Sequence, residues 1–261
     1  NRRLNPAYEA RWAYDYTNEN GTAKTITAYE NTNALSIGYM VDEDVQKIDH
    51  LGNDNPFNSQ NIFMSTMSGQ TTFDENGQFQ SWHEAENPIV SDAITTSPYG
   101  EQTKYDVTGD GDPTVDFHLV AESNEPIYIY FKTEFQKKVN LWMSTWNDSE
   151  WSEAENGWKE SNSGDFTWKD ADEYAKNNGG FQSMGEYFEG DNYIALRLGT
   201  FEPGTKITLR MTIANEEKFT IVKNFLFYTY HPDVFQEDID ILKQNQWQID
   251  TKKSNDRKLT G

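Results

Sequence analysis

The sequence predicts a mainly β protein, an antiparallel β-sandwich or jelly roll with two peripheral helices. Short segments rich in β-branched and aromatic residues recur along the chain and are bounded by turn-forming residues. Several of these segments alternate apolar and polar side chains, as half-buried strands do. No internal repeat of about 20 to 50 residues is visible, and the spacing of the strands favours this architecture over a parallel sheet. We therefore expect a single β-rich domain over residues 1–261.

The first predicted elements are two strands and a helix. Residues 24–29 and 35–41 are β-branched or aromatic and are separated by turn-prone residues, so two strands are predicted. A helix follows over about residues 55–68. Asn55 is a typical N-cap, the proline after it suits the first helical position, and Gly69 ends the apolar pattern.

The middle of the chain predicts further strands. Residues 71–99 are polar and interrupted by glycine and proline, which indicates short strands and loops. Residues 115–121 and 127–133 alternate apolar and polar side chains on either side of an Asn-Glu-Pro turn, so they are predicted to form an antiparallel hairpin. Residues 139–144 continue the series.

A long insertion at about residues 147–189 separates these strands from the last ones. It is dense in Trp, Gly, Asn and carboxylates, and only residues 169–178 within it have a helical composition. An amphipathic helix is predicted at about residues 232–246. Three strands are expected between the insertion and this helix, at residues 193–200, 206–213 and 221–230.

Composition and charge exclude some functions. The formal net charge of −21 repels phosphodiester backbones, and no basic stripe counteracts it, so no nucleic-acid partner is predicted. Cysteine is absent, which removes disulfides, thiolate metal sites and a cysteine nucleophile. A cysteine-free composition rich in Asn, Thr, Ser and aromatic residues favours an exported protein.

One acidic segment is a candidate calcium site. Asp106, Asp110 and Asp112 alternate with glycines, and calcium requires several oxygen ligands on a tightly bent backbone. The spacing differs from that of an EF-hand, because Phe117 stands where the bidentate glutamate would be. A hairpin turn built from Gly and Asp is the alternative. Calcium is the one possible cofactor that the sequence indicates.

A tryptophan cluster is the candidate carbohydrate-binding site. Aromatic faces beside carboxylates and amides are what a sugar-binding surface uses, because a pyranose ring stacks on an aromatic ring while its hydroxyls bind polar groups. The alternative is that the indoles fill the core, as expected for Trp142 on its strand. The candidate ligand-binding residues are Trp146, Trp151, Trp158, Trp168, Asn147 and Asp148.

No catalytic residue is predicted. Carboxylate pairs such as Glu153 and Glu155, or Glu84 and Glu86, arise by chance in a chain with 43 acidic residues. The four histidines show no metal-binding spacing, and no nucleophile or nucleotide-binding motif occurs. His118, on a predicted strand, is expected to be packed or hydrogen-bonded.

Two phrases carry a resemblance to a known family. YENTNALSIGYMV (residues 29–41) is followed by NPFNSQNIFMSTMSG (residues 55–69). This order resembles the extracytoplasmic portion of the YfhO family of bacterial multi-spanning membrane proteins, in which an Asn-Ala-Leu strand precedes an Asn-Pro-Phe helix. The strand at 221–230 and its following helix agree more loosely, whereas the insertion matches nothing in the family pattern.

The resemblance implies a place in a membrane enzyme. YfhO-like proteins look like integral-membrane glycosyltransferases that move a sugar from a polyprenyl-phosphate carrier to a cell-envelope polymer, lipoteichoic acid in Gram-positive bacteria. Their acidic catalytic residues are expected on a loop near the amino end of the membrane region, and none corresponds to a residue of this chain. The chain is thus expected to be a non-catalytic domain on the extracellular face of the membrane. Its expected partners are the envelope glycopolymer and the protein's own membrane region.

Two alternatives remain open. A free-standing carbohydrate-binding or adhesion module of a secreted protein would account for the tryptophan cluster alone. A structural domain that supports the membrane helices and binds no glycan would account for the strands without any site.

Overall fold

The chain divides into two compact units. A computed structural model describes residues 8–18, 20–31, 33–35, 40–48, 55–70, 77–84, 88–100, 102–214 and 219–245. Unit 1 comprises residues 1–54, 59–73 and 232–261, and unit 2 comprises residues 55–58 and 74–231. Compactness alone does not define a folding domain, so the single domain expected for residues 1–261 stays a prediction.

Strands dominate the described residues, and four α-helices accompany them. The strands are β1 (Tyr8–Thr17), β2 (Ala23–Asn31), β3 (Phe79–Glu84), β4 (Ile89–Val90), β5 (Ile94–Tyr99), β6 (Gln102–Val107), β7 (Thr114–Val120), β8 (Pro126–Trp146), β9 (Gln182–Thr200), β10 (Lys206–Ile213) and β11 (Phe219–Tyr230). The helices are α1 (Pro56–Ser68), α2 (Asp148–Lys159), α3 (Trp168–Asn177) and α4 (Pro232–Gln244), with a short 3-10 helix at Glu43–Lys47.

Unit 1 combines a β-hairpin with two helices. Strands β1 and β2 pair with each other in an antiparallel two-stranded sheet. Helix α4 packs on the carboxyl-terminal part of α1, and Met64, Met67, Ile239 and Leu242 form a small buried core between them. This packing removes the apolar side chains on the facing sides of the two helices from water.

The local signals that predict α1 operate as expected. The side chain of Asn55 accepts hydrogen bonds from the backbone N–H groups of Phe57 and Asn58, at 3.0 Å each. Gly69, with φ of 74°, adopts the left-handed conformation that commonly ends a helix. Both predicted peripheral helices, α1 and α4, are confirmed.

Unit 2 is an antiparallel sheet structure built around the long strand β8. Along one edge β8 pairs with β9. Along the other edge it pairs first with β11, through residues 127–135, and then with β10, through residues 139–146. The register shift between Phe135 and Lys138 divides the strand into these two parts. The strand order is β4-β7-β10-β8-β11-β6-β5, and β3 pairs with β11.

Both parts of β8 contribute side chains to one hydrophobic core. Ile129 and Phe131 from the first part and Leu141 from the second are fully buried in it. Ile207 and Leu209 of β10 lie in the same core, together with residues of β5, β6, β7, β9 and β11. Inward-facing apolar side chains that meet in one core are the arrangement of a β-sandwich. The predicted fold class, mainly β and antiparallel, is therefore confirmed.

The predicted hairpin of residues 115–121 and 127–133 is wrong in its pairing. Both segments are strands, β7 and the first part of β8, but β10 lies between β7 and β8 and pairs with both. Alternation of side chains identifies which face of a strand is buried, and it contains no information about the neighbouring strand. The prediction paired these two segments because strands joined by a short connection are usually neighbours in a sheet.

The predicted insertion at 147–189 contains more regular structure than expected. It holds two helices, α2 and α3, and strand β9 begins inside it at Gln182. Helix α3 agrees with the expected helical stretch 169–178 within one residue, whereas α2 was not predicted. The missed signal is a capping box, in which Asn147 and Glu150 bond each other's backbone N–H groups at 2.9 and 3.0 Å.

Part of the early prediction lies outside the described residues. Of the predicted strand at 35–41, residues 36–39 lie outside the described residues. Leu35, Met40 and Val41 are described and are not in a strand. Within the predicted region 71–99, the described residues form the short strands β3, β4 and β5, as expected.

Candidate functional site

Trp146, the first of the candidate carbohydrate-binding residues, lies in a small core. It is the last residue of β8, and 8% of its surface is exposed. Its ring packs edge-on against Trp151 at 6.3 Å and near Tyr174 at 5.9 Å. Buried alanines of α2 and α3 complete this cluster. Trp146 therefore anchors the two helices to the sheet.

The other three indoles are half-buried, and each packs against another aromatic ring. Trp151 lies 5.0 Å from the ring of Trp168 and 5.1 Å from that of Phe166. The ring of Trp158 lies 5.8 Å from that of Phe166, and the Lys206 ammonium stands 5.1 Å above Trp151. These aromatic pairs join α2 to α3. Their predicted binding of carbohydrate stays a prediction.

Asn147 and Asp148, the polar members of the predicted site, have local partners. Asn147 is the N-cap of α2. The carboxylate of Asp148 accepts a hydrogen bond from the Lys206 ammonium at 2.9 Å, while its side chain remains largely exposed. The structure brings Asp148, Lys206 and Trp151 into one neighbourhood at the start of α2.

Two of the three predicted calcium residues form ion pairs with lysines. Asp106 pairs with Lys104 at 2.7 Å, and Asp112 pairs with Lys176 of α3 at 2.7 Å. The hydrogen bond from Lys176 lowers the pKa of the Asp112 carboxyl below its ordinary value. Among the described residues, these three aspartates do not bring three ligand atoms within 4.8 Å of one another. Calcium binding at this turn stays a prediction.

Glu153 and Glu155 do not form a paired site, and the described histidine His231 has a carboxylate neighbour. Glu153 and Glu155 both lie on α2, two positions apart, so their side chains point in different directions. His231 Nδ1 lies 3.0 Å from Oε1 of Glu125. Other candidates lie outside the description, namely His50, Glu86 and the side chains of His83 and Glu84.

A buried ion pair crosses from β7 to β10 on the outer face of the sheet. Arg210 Nε and Nη2 donate to Oδ1 and Oδ2 of Asp116, each at 2.7 Å. The guanidinium also lies 4.1 Å from the centre of the Phe181 ring. Burial raises the pKa of the Asp116 carboxyl, against the effect of the Arg210 hydrogen bonds, which lower it. Because arginine stays protonated, the pair is a charge-assisted bidentate contact.

A second polar cluster joins α3 to the same face. Oδ1 of Asp172 accepts a hydrogen bond from the Thr208 hydroxyl, and Oδ2 lies 2.7 Å from His118 Nε2. The His118 ring lies 4.6 Å from that of Trp168. His118 is thus packed and hydrogen-bonded, as predicted. The sequence signal for this face was the presence of Asp116 and His118 on alternate positions of one strand, and of Thr208 and Arg210 on another.

Asp116 and Arg210 of the first cluster and Asp172 of the second form the floor of a cleft of about 290 Å³ between α3 and the sheet edge. Exposed polar side chains of α3 and of the turn after β4 form its rim, and β4 contributes an apolar edge. Asp116 and Asp172 both line the cleft, and each of their four carboxylate oxygens already has a partner. This arrangement can hold a ligand at the rim, whereas the buried acids are committed to the protein's own groups.

The sequence matches the family described as bacterial membrane protein YfhO over residues 3–261. The match places the chain in a class of bacterial membrane proteins. Within that class it belongs to the YfhO family, as the phrases at residues 29–41 and 55–69 predicted. No helix in the described part of the chain has both the length and the apolar character needed to cross a bilayer.

More distant similarities concern carbohydrate-binding modules. A mutant family 29 module in complex with cellulohexaose has 14% identity and a TM-score of 0.36, with 59% of this chain and 93% of that chain covered. Another mutant, in complex with mannohexaose, has 12% identity and a TM-score of 0.36, with 60% and 95% covered. These TM-scores are too low to relate the ligands of the two proteins. No curated protein matches the chain.

Proposed function

We propose that this chain is the extracytoplasmic domain of a YfhO-type membrane glycosyltransferase, and that it recognises the acceptor without carrying out the reaction. In such an enzyme the donor is a polyprenyl-phosphate-linked sugar, and the acceptor is a cell-envelope polymer, lipoteichoic acid in a Gram-positive bacterium. The observation that carries the proposal is the family match over residues 3–261, which runs through both compact units.

The hydrogen bonds of the buried acids support binding over catalysis. A general acid or base needs a carboxyl that can exchange a proton with substrate. Asp116 is held by both nitrogens of Arg210, and Asp172 by Thr208 and His118. Neither carboxylate has an oxygen left without a protein partner, so neither is poised for proton transfer.

The helical layer of α2 and α3 is the proposed contact region for the acceptor. It combines half-buried indoles with polar groups such as Asp148 and Lys206 at the start of α2. Trp158, on the last turns of α2, is the indole proposed to stack on a sugar ring, because Trp146 is enclosed in the core.

Charge restricts how an acceptor polymer binds. The formal net charge of −21 repels a polymer of glycerol phosphate, which is itself anionic. Recognition therefore depends on sugar substituents, alanyl ammonium groups or a bridging cation. Where sugar substituents are recognised, added salt is expected to strengthen binding by screening the repulsion.

Titration of the chain with teichoic-acid fragments and simple sugars tests the proposal. Binding of a fragment is expected to change tryptophan fluorescence, and Trp158→Ala is expected to weaken it. Tyr99→Ala, which removes an exposed aromatic side chain of β5, is a matched control. An unchanged spectrum with every glycan would favour a purely architectural role, for which the mutual packing of the indoles is the specific observation.

A second measurement addresses the non-catalytic part. The chain is incubated with a polyprenyl-phosphate-linked sugar and an acceptor fragment, and product is followed by mass spectrometry. No turnover is expected. Transfer or hydrolysis of the sugar by the chain alone would contradict the proposal.

A further inference from the structure

The cleft beside α3 is lined by none of the tryptophans and has the size of a small binding site. Its volume of about 290 Å³ is enclosed by α3, β4, β7 and β10. The volumes of ligand sites in proteins usually range upward from roughly 300 Å³. A cleft at the lower end of this range suits one small ligand or one unit of a polymer.

The floor of the cleft is rigid. The Asp116–Arg210 pair joins two neighbouring strands, and the bond from Thr208 to Asp172 fixes α3 above them. Side chains whose positions are fixed by such bonds lose little freedom when a ligand arrives. The floor of the site is therefore preorganised before any ligand binds.

The rim offers both hydrogen-bond acceptors and donors. The exposed carboxylates of Asp92 and Glu173 accept hydrogen bonds, while Lys169 and Asn177 donate them. A sugar hydroxyl both donates and accepts, so neighbouring hydroxyls match such a mixed rim. A purely acidic or purely basic rim would instead select an ion.

The charges of the cleft favour an uncharged ligand. The Arg210 guanidinium is neutralised by Asp116, and the Lys176 ammonium by Asp112. The exposed groups that remain, Asp92, Glu173 and Lys169, include both signs. The two exposed carboxylates and the buried Asp172, which is bonded to Thr208 and His118, repel an anion, whereas Lys169 repels a cation.

An apolar edge completes the match to a sugar. Ile89 and Val90 of β4 are half-buried and line one side of the cleft. The C–H face of a pyranose ring is apolar, and its burial against such side chains is favourable.

We propose that the cleft between α3 and strands β4, β7 and β10 is a binding subsite for a single uncharged sugar residue. The proposed subsite rests on the proposed function only in one respect, namely that the bound sugar is part of the acceptor polymer. The subsite is distinct from the contact proposed for Trp158, since neither Trp158 nor any residue of α2 lines the cleft.

Calorimetric titration of the full chain tests the subsite. The probes are glucose and N-acetylglucosamine, which are uncharged, glucosamine, which is cationic, and glucose 6-phosphate, which is anionic. The variants are Asp92→Ala and Glu173→Ala, with Asp110→Ala and Glu153→Ala as exposed controls of the same type outside the cleft. Far-UV circular dichroism verifies that each variant is folded.

At least one uncharged sugar is expected to bind more tightly than both charged ones. Loss of a charge-assisted hydrogen bond in Asp92→Ala or Glu173→Ala is expected to weaken that sugar about tenfold, with no change in the controls. Binding that is unchanged in both cleft variants but weakened by Trp158→Ala would overturn the subsite and leave the proposed function standing. Tightest binding of a charged probe, or no binding of any probe, would also overturn it. The acceptor-recognition part of the proposed function fails if teichoic-acid fragments do not bind either.

Discussion

Arg210 and Asp116 are direct neighbours across strands β10 and β7, and their side chains form a bidentate ion pair on the buried outer face of the sheet. Two nitrogens of the guanidinium donate to the two carboxylate oxygens at 2.7 Å, and 11% and 6% of the respective side chains are exposed. Removing charges from water is costly, and this geometry recovers much of the cost. The pair therefore defines the register and the cleft floor more than it adds net stability.

The first prediction concerns this pair. Asp116→Ala leaves a buried arginine without its counter-ion, so the free energy of unfolding is expected to fall by about 3 to 5 kcal/mol. The double variant Asp116→Leu with Arg210→Met replaces both charges by apolar groups and is expected to recover most of that loss. Urea unfolding at neutral pH measures both. A double variant as unstable as Asp116→Ala would show that the pair itself is strongly stabilising.

The second prediction contrasts two buried threonines. Thr208→Val removes the donor to Oδ1 of Asp172, and the free energy of unfolding is expected to fall by about 1 to 3 kcal/mol. Thr133, equally buried, has a hydroxyl with no hydrogen-bond partner among the described residues. Thr133→Val is therefore expected to stabilise the protein by on the order of 1 kcal/mol. Thermal unfolding should give shifts of opposite sign, and equal destabilisation by both would refute the assignment.

The third prediction is a pH dependence at Tyr105. Burial raises the pKa of this phenol from 10.0 to about 12. Between these values the unfolded chain releases the proton and the folded chain retains it, so stability falls as the pH rises. Tyr105→Phe removes this contribution, and the unfolding free energy of the wild type is expected to fall by on the order of 2 kcal/mol more than that of the variant. Urea unfolding at pH 9 and near pH 12 (~3 pH units apart) measures this difference.

The control for that measurement is Tyr99→Phe, which alters an exposed tyrosine of β5. Its unfolding free energy is expected to follow that of the wild type over the same pH range. If the unfolding free energies of the wild type and Tyr105→Phe fell equally with pH, the pKa of this phenol would not be raised by burial.

The fourth prediction tests the cap of α2. Asn147→Ala removes the bond to the Glu150 N–H and is expected to lower the free energy of unfolding by about 1 kcal/mol. Asn156→Ala, at an exposed interior position of the same helix, is expected to stabilise slightly, by up to about 0.7 kcal/mol, because alanine has the higher helix propensity. Urea unfolding of both variants measures these two changes in the free energy of unfolding. Loss of glycan binding in Asn147→Ala with unchanged stability would instead favour the ligand role predicted for this residue.

Helix boundaries were predictable because their causes are local. Asn55 and Gly69 delimit α1 through bonds and backbone angles within a few residues. Helix α2 carries an equally local capping box, so the sequence contains the signal for this helix as well. The predicted hairpin of β7 and β8 failed for a different reason, since the strand between them, β10, begins 86 positions after Val120 in the chain.

The sequence by itself determined the mainly β class, the two peripheral helices, the alternation of the strands at 115–121 and 127–133 and membership in the YfhO family, because periodicity, caps and motifs are written in consecutive residues. Only the tertiary structure decided which side chains meet. Arg210 and Asp116 are 94 positions apart, and Asp172 and His118 are 54 apart. Their meeting depends on strand order and on where α3 packs, and both follow from the burial of the whole core, which no short segment specifies.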